Sequence, residues 1–166
     1  MSLILFLIFY LKRMLSFIKK FPFFRTPNHF FKMNFASALP KWKYADKAQI
    51  YPQEFTEAFD EVSKDDVCPF VVVDVREDLE INTAELPWKN KNGVEIPKLY
   101  ISMDSLFKDE DSLTEIPQDK YVLCLCHHGV RSAYASQFLK NKGYKSLNIA
   151  GGIDKVSDIW TKIPKY

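Results

Sequence analysis

The sequence predicts an α/β fold in which helices flank a central parallel sheet. Three short runs, at residues 70–75, 121–125 and 146–150, are dominated by apolar and β-branched residues, which is typical of strands buried on both faces. Helical segments lie before the first of these strands and between the last two. Strands that alternate with helices form parallel βαβ units, because the helix carries the chain back to the other end of the sheet.

The helix that precedes the first strand is predicted to begin near Pro52. Phe55, Phe59 and Val62 follow at the three- to four-residue spacing of one helix face. Proline is favoured in a first helical turn, because the N–H group that it lacks would have no helical partner there. This segment is therefore predicted to pack its apolar face on the sheet.

The middle of the chain, residues 77–120, carries weaker signals. Prolines, asparagines and one glycine predict loops over much of this stretch. Residues 98–102 predict a short strand, and residues 104–107 predict a short helix.

Beyond residue 120 the pattern becomes regular again. A helix is predicted over residues 132–142, with Ala135, Phe138 and Leu139 on one face. Gly143 is predicted to end this helix, since glycine is favoured just beyond a helical C-terminus.

Charge is distributed unevenly along the chain. The first 45 residues carry eight Lys or Arg and no acid, which leaves 15 basic and 21 acidic residues in the remainder. A basic leader and linker over residues 1–47 is therefore predicted to precede a domain over residues 48–166. The acidic balance of the domain argues against a nucleic-acid partner.

The leader has three open interpretations. Its uncharged run over residues 2–11 is shorter than the roughly 20 residues that span a bilayer, and its basic residues follow the run, unlike those of a signal peptide. It suits an interfacial membrane anchor or an organelle-targeting segment. Alternatively, the protein starts at Met14 or Met33.

The three cysteines, Cys68, Cys124 and Cys126, do not suggest a disulfide framework, because their number is odd and their spacing irregular. They also lack the partners for a four-ligand zinc site, so no metal site is predicted. A reducing compartment, the cytoplasm first of all, fits a thiol that has to remain reduced.

Cys126 stands at the end of a predicted strand, and Arg131 follows after four residues at the start of a helix. Ligands of open parallel sheets bind at the carboxyl ends of the strands. A short loop that enters a helix directs backbone N–H groups toward its centre, which favours a thiolate or an anionic persulfide at Cys126. Gly129 allows the tight curl, Arg131 offers a planar fork for an oxyanion, and Ser132 is expected to cap the helix.

His127, His128 and Val130 complete this loop. Adjacent histidines rarely point at one ion, and no carboxylate motif accompanies them. All three are therefore expected to line the substrate-binding loop with their backbone N–H groups.

The loop over residues 126–132, Cys-His-His-Gly-Val-Arg-Ser, resembles the active-site loop of single-domain rhodanese-like sulfurtransferases. Residues 73–77 resemble the Asp-x-Arg stretch of that family and residues 148–153 its Gly-Gly stretch, in the family's order, so that the resemblance covers about residues 49–160. It implies a rhodanese-like fold and sulfane-sulfur transfer without a cofactor. Cys126 would take sulfur from a donor such as thiosulfate or a persulfide and pass it to cyanide, a thiol or a sulfur-carrier protein.

Two features of the pattern bear on this resemblance. Members of the family usually carry a Gly-His-Ile-Pro-Gly-Ala-like segment after Asp-x-Arg. Residues 84–90 occupy that place here and retain only Pro87, so the identity of the sulfur donor stays open. Related phosphatases enclose phosphate in a Cys-x5-Arg loop, one residue longer than the loop here, so phosphatase or arsenate-reductase activity is not expected. Asp74 and Arg76 have two open roles, an ion pair that orders the loop or a contact with the substrate, and the structural role is favoured for Asp74.

Alternatives to the enzyme are a non-catalytic docking module and a sensor of sulfide or oxidant that contacts a membrane through the leader. The intact pair of Cys126 and Arg131 favours the enzyme, since inactive members of the family usually lose the cysteine. Cys124 is expected in the core, with a resolving thiol as its alternative role.

Overall fold

The computed structural model describes residues 39–166. The predictions for residues 1–38 lie outside this range. In chain order the elements are β1 (Gln49–Ile50), α1 (Pro52–Glu61), β2 (Phe70–Asp74), α2 (Asp78–Thr83), β3 (Lys98–Tyr100), α3 (Met103–Lys108), α4 (Glu110–Thr114), β4 (Tyr121–Leu125), α5 (Val130–Asn141), β5 (Ser146–Ile149) and α6 (Gly152–Ser157).

The five strands form one sheet in the order β1-β5-β4-β2-β3, and every pair of neighbours is parallel. The α/β fold with a central parallel sheet is therefore confirmed. The three strands that the sequence predicts most clearly, β2, β4 and β5, occupy the centre, where both faces are covered. Asp74 pairs with Leu125 across β2 and β4, so the residues that follow these two strands leave the sheet side by side.

Alternate residues of the central strands face two separate apolar layers. Val72 and Leu123 belong to the layer that includes residues of α1 and α6, whereas Val73 and Cys124 belong to the layer that includes residues of α3 and α5. Every residue of β2 and β4 is buried, which accounts for their apolar composition up to Asp74, the one charged residue, which is paired with Arg76. Cys126 follows the same alternation and lies in the layer of Cys124.

Three short helices, α2, α4 and α6, were not predicted from the sequence. Helix α2 buries none of its residues, so it shows no apolar periodicity. It is held instead at its first turn, where the backbone N–H of Glu77 donates to the Glu80 carboxylate at 3.1 Å. Helix α4 is only five residues long, less than two turns.

Helix α5 begins at Val130, two residues earlier than predicted, because Gly129 takes the N-cap position with φ +83°. Such a left-handed backbone suits glycine. The expectation that Ser132 caps this helix is wrong: its side chain points into the protein toward Cys126. The end of α5 agrees with the sequence, since Gly143 follows it with φ +93°.

The segment just before Ala48 packs on the sheet. Tyr44 is buried in the layer that contains α1, and its hydroxyl donates to the Glu57 carboxylate at 3.0 Å. The ring of Trp42 lies 5.0 Å from that of Tyr121, centroid to centroid. None of the helices in the described part is long and apolar enough to cross a bilayer.

We predict that a chain beginning at Met33 unfolds with the same free energy as the full chain. A chain beginning at Ala48 loses the Trp42 and Tyr44 contacts and is expected to lose about 2 to 4 kcal/mol of the free energy of unfolding. Urea denaturation of the three chains measures this, with Trp42→Ala in the full chain as the matched control. Equal stability of the two shortened chains would show that residues 39–47 do not support the domain.

Candidate active site

Cys126 lies directly after β4, at the carboxyl edge of the sheet, and its residue is only 1% exposed. Its Sγ accepts a hydrogen bond from the backbone N–H of Gly129 at 3.1 Å. A backbone donor at this distance stabilises negative charge on the sulfur. The loop thus directs one backbone donor, that of Gly129, at the sulfur, where the sequence predicts several.

The hydroxyl of Ser132 is the second polar neighbour of the sulfur. Its Oγ lies 3.2 Å from Cys126 Sγ and 2.7 Å from the Asn148 side-chain oxygen, and the group is fully buried. A hydroxyl has one hydrogen to donate and two lone pairs. The single hydrogen can go either to Asn148 Oδ1 or to Sγ, and donation to an anionic sulfur requires the Asn148 amide to present its NH2 group to Ser132 instead of its oxygen. Asn148 therefore acts on the sulfur through Ser132.

The carbonyl groups of the loop are bound from behind by the first turn of α6. The N–H of Ile153 donates to the Cys126 carbonyl at 2.9 Å, and the N–H of Asp154 donates to the His127 carbonyl at 3.1 Å. A Cβ on Gly152 would lie 2.3 Å from both carbonyl oxygens. The second glycine of the Gly-Gly stretch, Gly152, is thus required by the close approach of two backbones.

Arg76 and Asp74 form a buried ion pair at the end of β2, with 1% and 2% of each residue exposed. The Nε and Nη2 groups of Arg76 donate to the Asp74 carboxylate at 2.7 to 3.1 Å. Its Nη1 donates to the Ala84 carbonyl at 2.7 Å, the Glu80 carbonyl at 3.2 Å and the Tyr166 hydroxyl at 2.9 Å. Burial lowers the pKa of Arg76, but pairing with Asp74 outweighs it and the net pKa is raised. These contacts order the surroundings of the loop.

Arg131 donates both ends of its fork to one carboxylate that the sequence analysis did not single out. Its Nη1 lies 2.7 Å from Oε2 of Glu80, and its Nη2 lies 2.5 Å from Oε1. This bidentate pair raises the pKa of Arg131 and lowers the pKa of Glu80. The Glu-x-x-Glu spacing of Glu77 and Glu80, a capping pattern, is the signal that could have located the partner.

The two histidines of the loop are stacked. The His127 ring lies 3.7 Å from that of His128 and 4.0 Å from that of Tyr166, centroid to centroid. His127 Nδ1 lies 4.0 Å from Oε1 of Glu80. Among residues 39–166, no group of three His, Cys, Asp or Glu side chains could hold a metal ion. Val130, the remaining loop residue, is exposed.

The other two cysteines stand apart from this loop chemistry. Complete burial raises the pKa of the Cys124 thiol, and the nearby thiol of Cys126 raises it further. Burial also raises the pKa of Cys68, whose thiol donates to the Phe70 carbonyl at 3.2 Å. Neither environment favours a thiolate.

Comparison with known proteins identifies the family that this chain resembles. The rhodanese-like domain family matches residues 52–158. An adenylyltransferase and sulfurtransferase of Kluyveromyces lactis is 30% identical over 101 residues, which are 59% of this chain and 22% of that protein. A second relative is a Bacillus subtilis protein named as a candidate sulfurtransferase. It is 26% identical over 82 residues, which are 49% of this chain and 68% of that protein. The chain thus spans about a fifth of the first relative and two thirds of the second.

A solved structure supports the fold. The rhodanese-like domain protein of Staphylococcus aureus superposes with a TM-score of 0.52 and 24% identity, over 66% of this chain and 91% of that one. A similarity at 24% identity supports the arrangement of the sheet and helices alone.

We predict that Asp74→Asn lowers the free energy of unfolding by about 3 to 5 kcal/mol, because it leaves the buried charge of Arg76 without a counter-charge. Asp78→Asn removes the same charge from an exposed position on α2 and is expected to change stability by about 0.5 kcal/mol or less. Urea denaturation of both variants checks the prediction. Similar small effects would mean that the buried pair contributes no stability.

We predict that Gly152→Ala is more destabilising than Gly143→Ala. Both glycines have positive φ, but a Cβ at Gly152 meets two carbonyl oxygens at 2.3 Å, whereas a Cβ at Gly143 meets nothing within 4 Å. The backbone term alone is worth about 1 to 2 kcal/mol, and the clash adds to it at Gly152 only. Denaturant unfolding of both variants separates the two causes, and an equal loss in both would refute the close backbone contact.

Proposed function

Because this chain belongs to the rhodanese-like domain family, we propose that it is a sulfurtransferase that carries sulfane sulfur on Cys126. One observation above all supports the proposal: Cys126 Sγ accepts the Gly129 N–H at 3.1 Å while the carbonyls of the loop are bound on the far side. Such a site stabilises a sulfur anion, which is what both a nucleophilic thiolate and a persulfide require.

The proposed reaction has two steps. The Cys126 thiolate attacks the outer sulfur of a donor such as thiosulfate, the S–S bond of the donor breaks, and sulfite leaves with the bonding electrons. Cyanide, a thiolate or a sulfur-carrier protein then attacks the outer sulfur of the persulfide, and Cys126 leaves as the thiolate. The sulfur atom moves without net oxidation or reduction, so the proposal requires no cofactor.

The loop residues have separate roles in this proposal. The Gly129 N–H and the Ser132 hydroxyl stabilise the anionic sulfur. The pair of Arg131 and Glu80 sets the charge that a donor meets at the loop. The terminal sulfur of a persulfide lies about 2 Å beyond Sγ, which suits the short Cys-x4-Arg loop better than a tetrahedral phosphate does. Since the reaction requires a free thiol, we also propose a reducing compartment for the protein.

We predict that thiosulfate adds one sulfur atom to the wild-type protein and none to Cys126→Ser. Intact mass spectrometry after exposure to saturating thiosulfate measures the gain, and cyanide should remove it with formation of thiocyanate. Cys124→Ser and Cys68→Ser should still gain the atom, because both thiols are buried in the core.

Each outcome decides between the alternatives. A wild-type protein that gains no sulfur would favour the docking module over the enzyme. Sulfur gain that persists in Cys126→Ser would place the nucleophile elsewhere. Loss of turnover in folded Cys124→Ser would assign that residue the role of a resolving thiol.

A further inference from the structure

We infer that Glu80 makes the site select sulfur donors by charge, so that monoanionic donors, such as persulfides and thiosulfonates, are favoured over the thiosulfate dianion. The inference rests on the proposed sulfur transfer and concerns the donor that this same site accepts. It follows from three observations. The fork of Arg131 is occupied, the Glu80 carboxylate is fixed in position, and the guanidinium of Arg76 is bound to Asp74.

The fork of Arg131 is occupied by the protein itself. Both terminal nitrogens donate to the Glu80 carboxylate, at 2.7 and 2.5 Å. The Arg131 side chain is 36% exposed and that of Glu80 is 21% exposed, so the pair stands where solvent and substrate reach it. A donor oxyanion that approaches Arg131 therefore meets a carboxylate already in the place that it would take.

The Glu80 carboxylate is held by more than Arg131. Its Oε2 accepts the backbone N–H of Glu77 at 3.1 Å, and its own backbone carbonyl accepts Nη1 of the buried Arg76. Moving the carboxylate aside would break the cap of α2 as well as the ion pair. Glu80 is therefore a fixed negative charge at the loop rather than a side chain that yields freely to an incoming anion.

The second guanidinium near the loop does not offset this charge. Arg76 is buried, and its Nε and Nη2 groups donate to the Asp74 carboxylate. Each of the two arginines thus has a carboxylate partner. Glu80 cancels the attraction that Arg131 would otherwise exert on a donor, and the attraction lost grows with the charge of the donor, because Coulomb energy is proportional to both charges.

Two donors that differ by one charge allow a direct test. Thiosulfate is a dianion, and methanethiosulfonate, CH3SO2S⁻, is a monoanion with the same kind of transferable sulfur. In both cases the Cys126 thiolate attacks the outer sulfur and the S–S bond breaks. Sulfite leaves from the first donor and methanesulfinate from the second. The persulfide and its reaction with cyanide are the same.

The variant for this test is Glu80→Gln. Glutamine keeps the length of the side chain and can accept the Glu77 N–H, as it does in capping boxes, but it carries no charge. We expect KM for thiosulfate to fall about tenfold and KM for methanethiosulfonate to fall about threefold, with kcat unchanged for both. Asp78→Asn, which removes an exposed charge from the same helix, should change either KM by about twofold at most.

Thiocyanate formation at several donor concentrations gives these constants, and urea denaturation verifies that each variant is folded. A KM that rises for both donors in Glu80→Gln would overturn the inference, because Glu80 would then serve to position Arg131. Equal changes with the two donors, or the same changes in Asp78→Asn, would overturn it as well. A wild-type protein that transfers sulfur from neither donor would instead refute the proposed function.

Discussion

The backbone of residues 126–129 directs an N–H group at one sulfur atom, and its carbonyl groups consequently point away from that sulfur. Those carbonyls lie in the interior, where an unpaired oxygen would cost about 1 to 3 kcal/mol. The first turn of α6 supplies the missing donors through Ile153 and Asp154, and Gly152 permits the approach. The anion site thus depends on contacts behind the loop, from a segment far along the chain, as much as on the loop itself.

Two arginine–carboxylate pairs flank this loop and differ in what surrounds them. Arg76 and Asp74 are buried together, and the remaining donors of Arg76 bind carbonyls and a tyrosine hydroxyl, so the pair connects β2 to α2 and to Tyr166. Arg131 and Glu80 are partly exposed. The first pair has the geometry of a structural support, whereas the charges of the second pair lie where a substrate can meet them. Helix α2 carries one member of the second pair and is positioned by the first.

The central strands and helix α5 could be predicted from the sequence because buried positions restrict the residue type. Every residue of β2 and β4 is buried and had to be apolar or paired. Helix α2 buries nothing, so apolar spacing could not reveal it, although it supplies Glu80. The loop sequence pointed to Cys126 and Arg131 but not to the partner of Arg131, because an ion pair across 51 residues leaves no periodic signal. The inward position of Ser132 could not be predicted either, because its partners Cys126 and Asn148 are distant from it along the chain.

Because the loop depends on α6, the sulfur site can form only after α6 has been synthesised and has packed against the loop. A chain that has emerged from the ribosome only as far as residue 145 contains the whole loop but lacks Asn148, Ile153 and Asp154, so the loop carbonyls have no donors and Ser132 has no amide partner. The same holds for local opening of a finished protein: if α6 detaches, the sulfur site loses its geometry while the central strands remain paired. Amide hydrogen exchange at Ile153 and Asp154, which donate to the loop carbonyls, would therefore report on the integrity of the site more directly than the global melting of the domain.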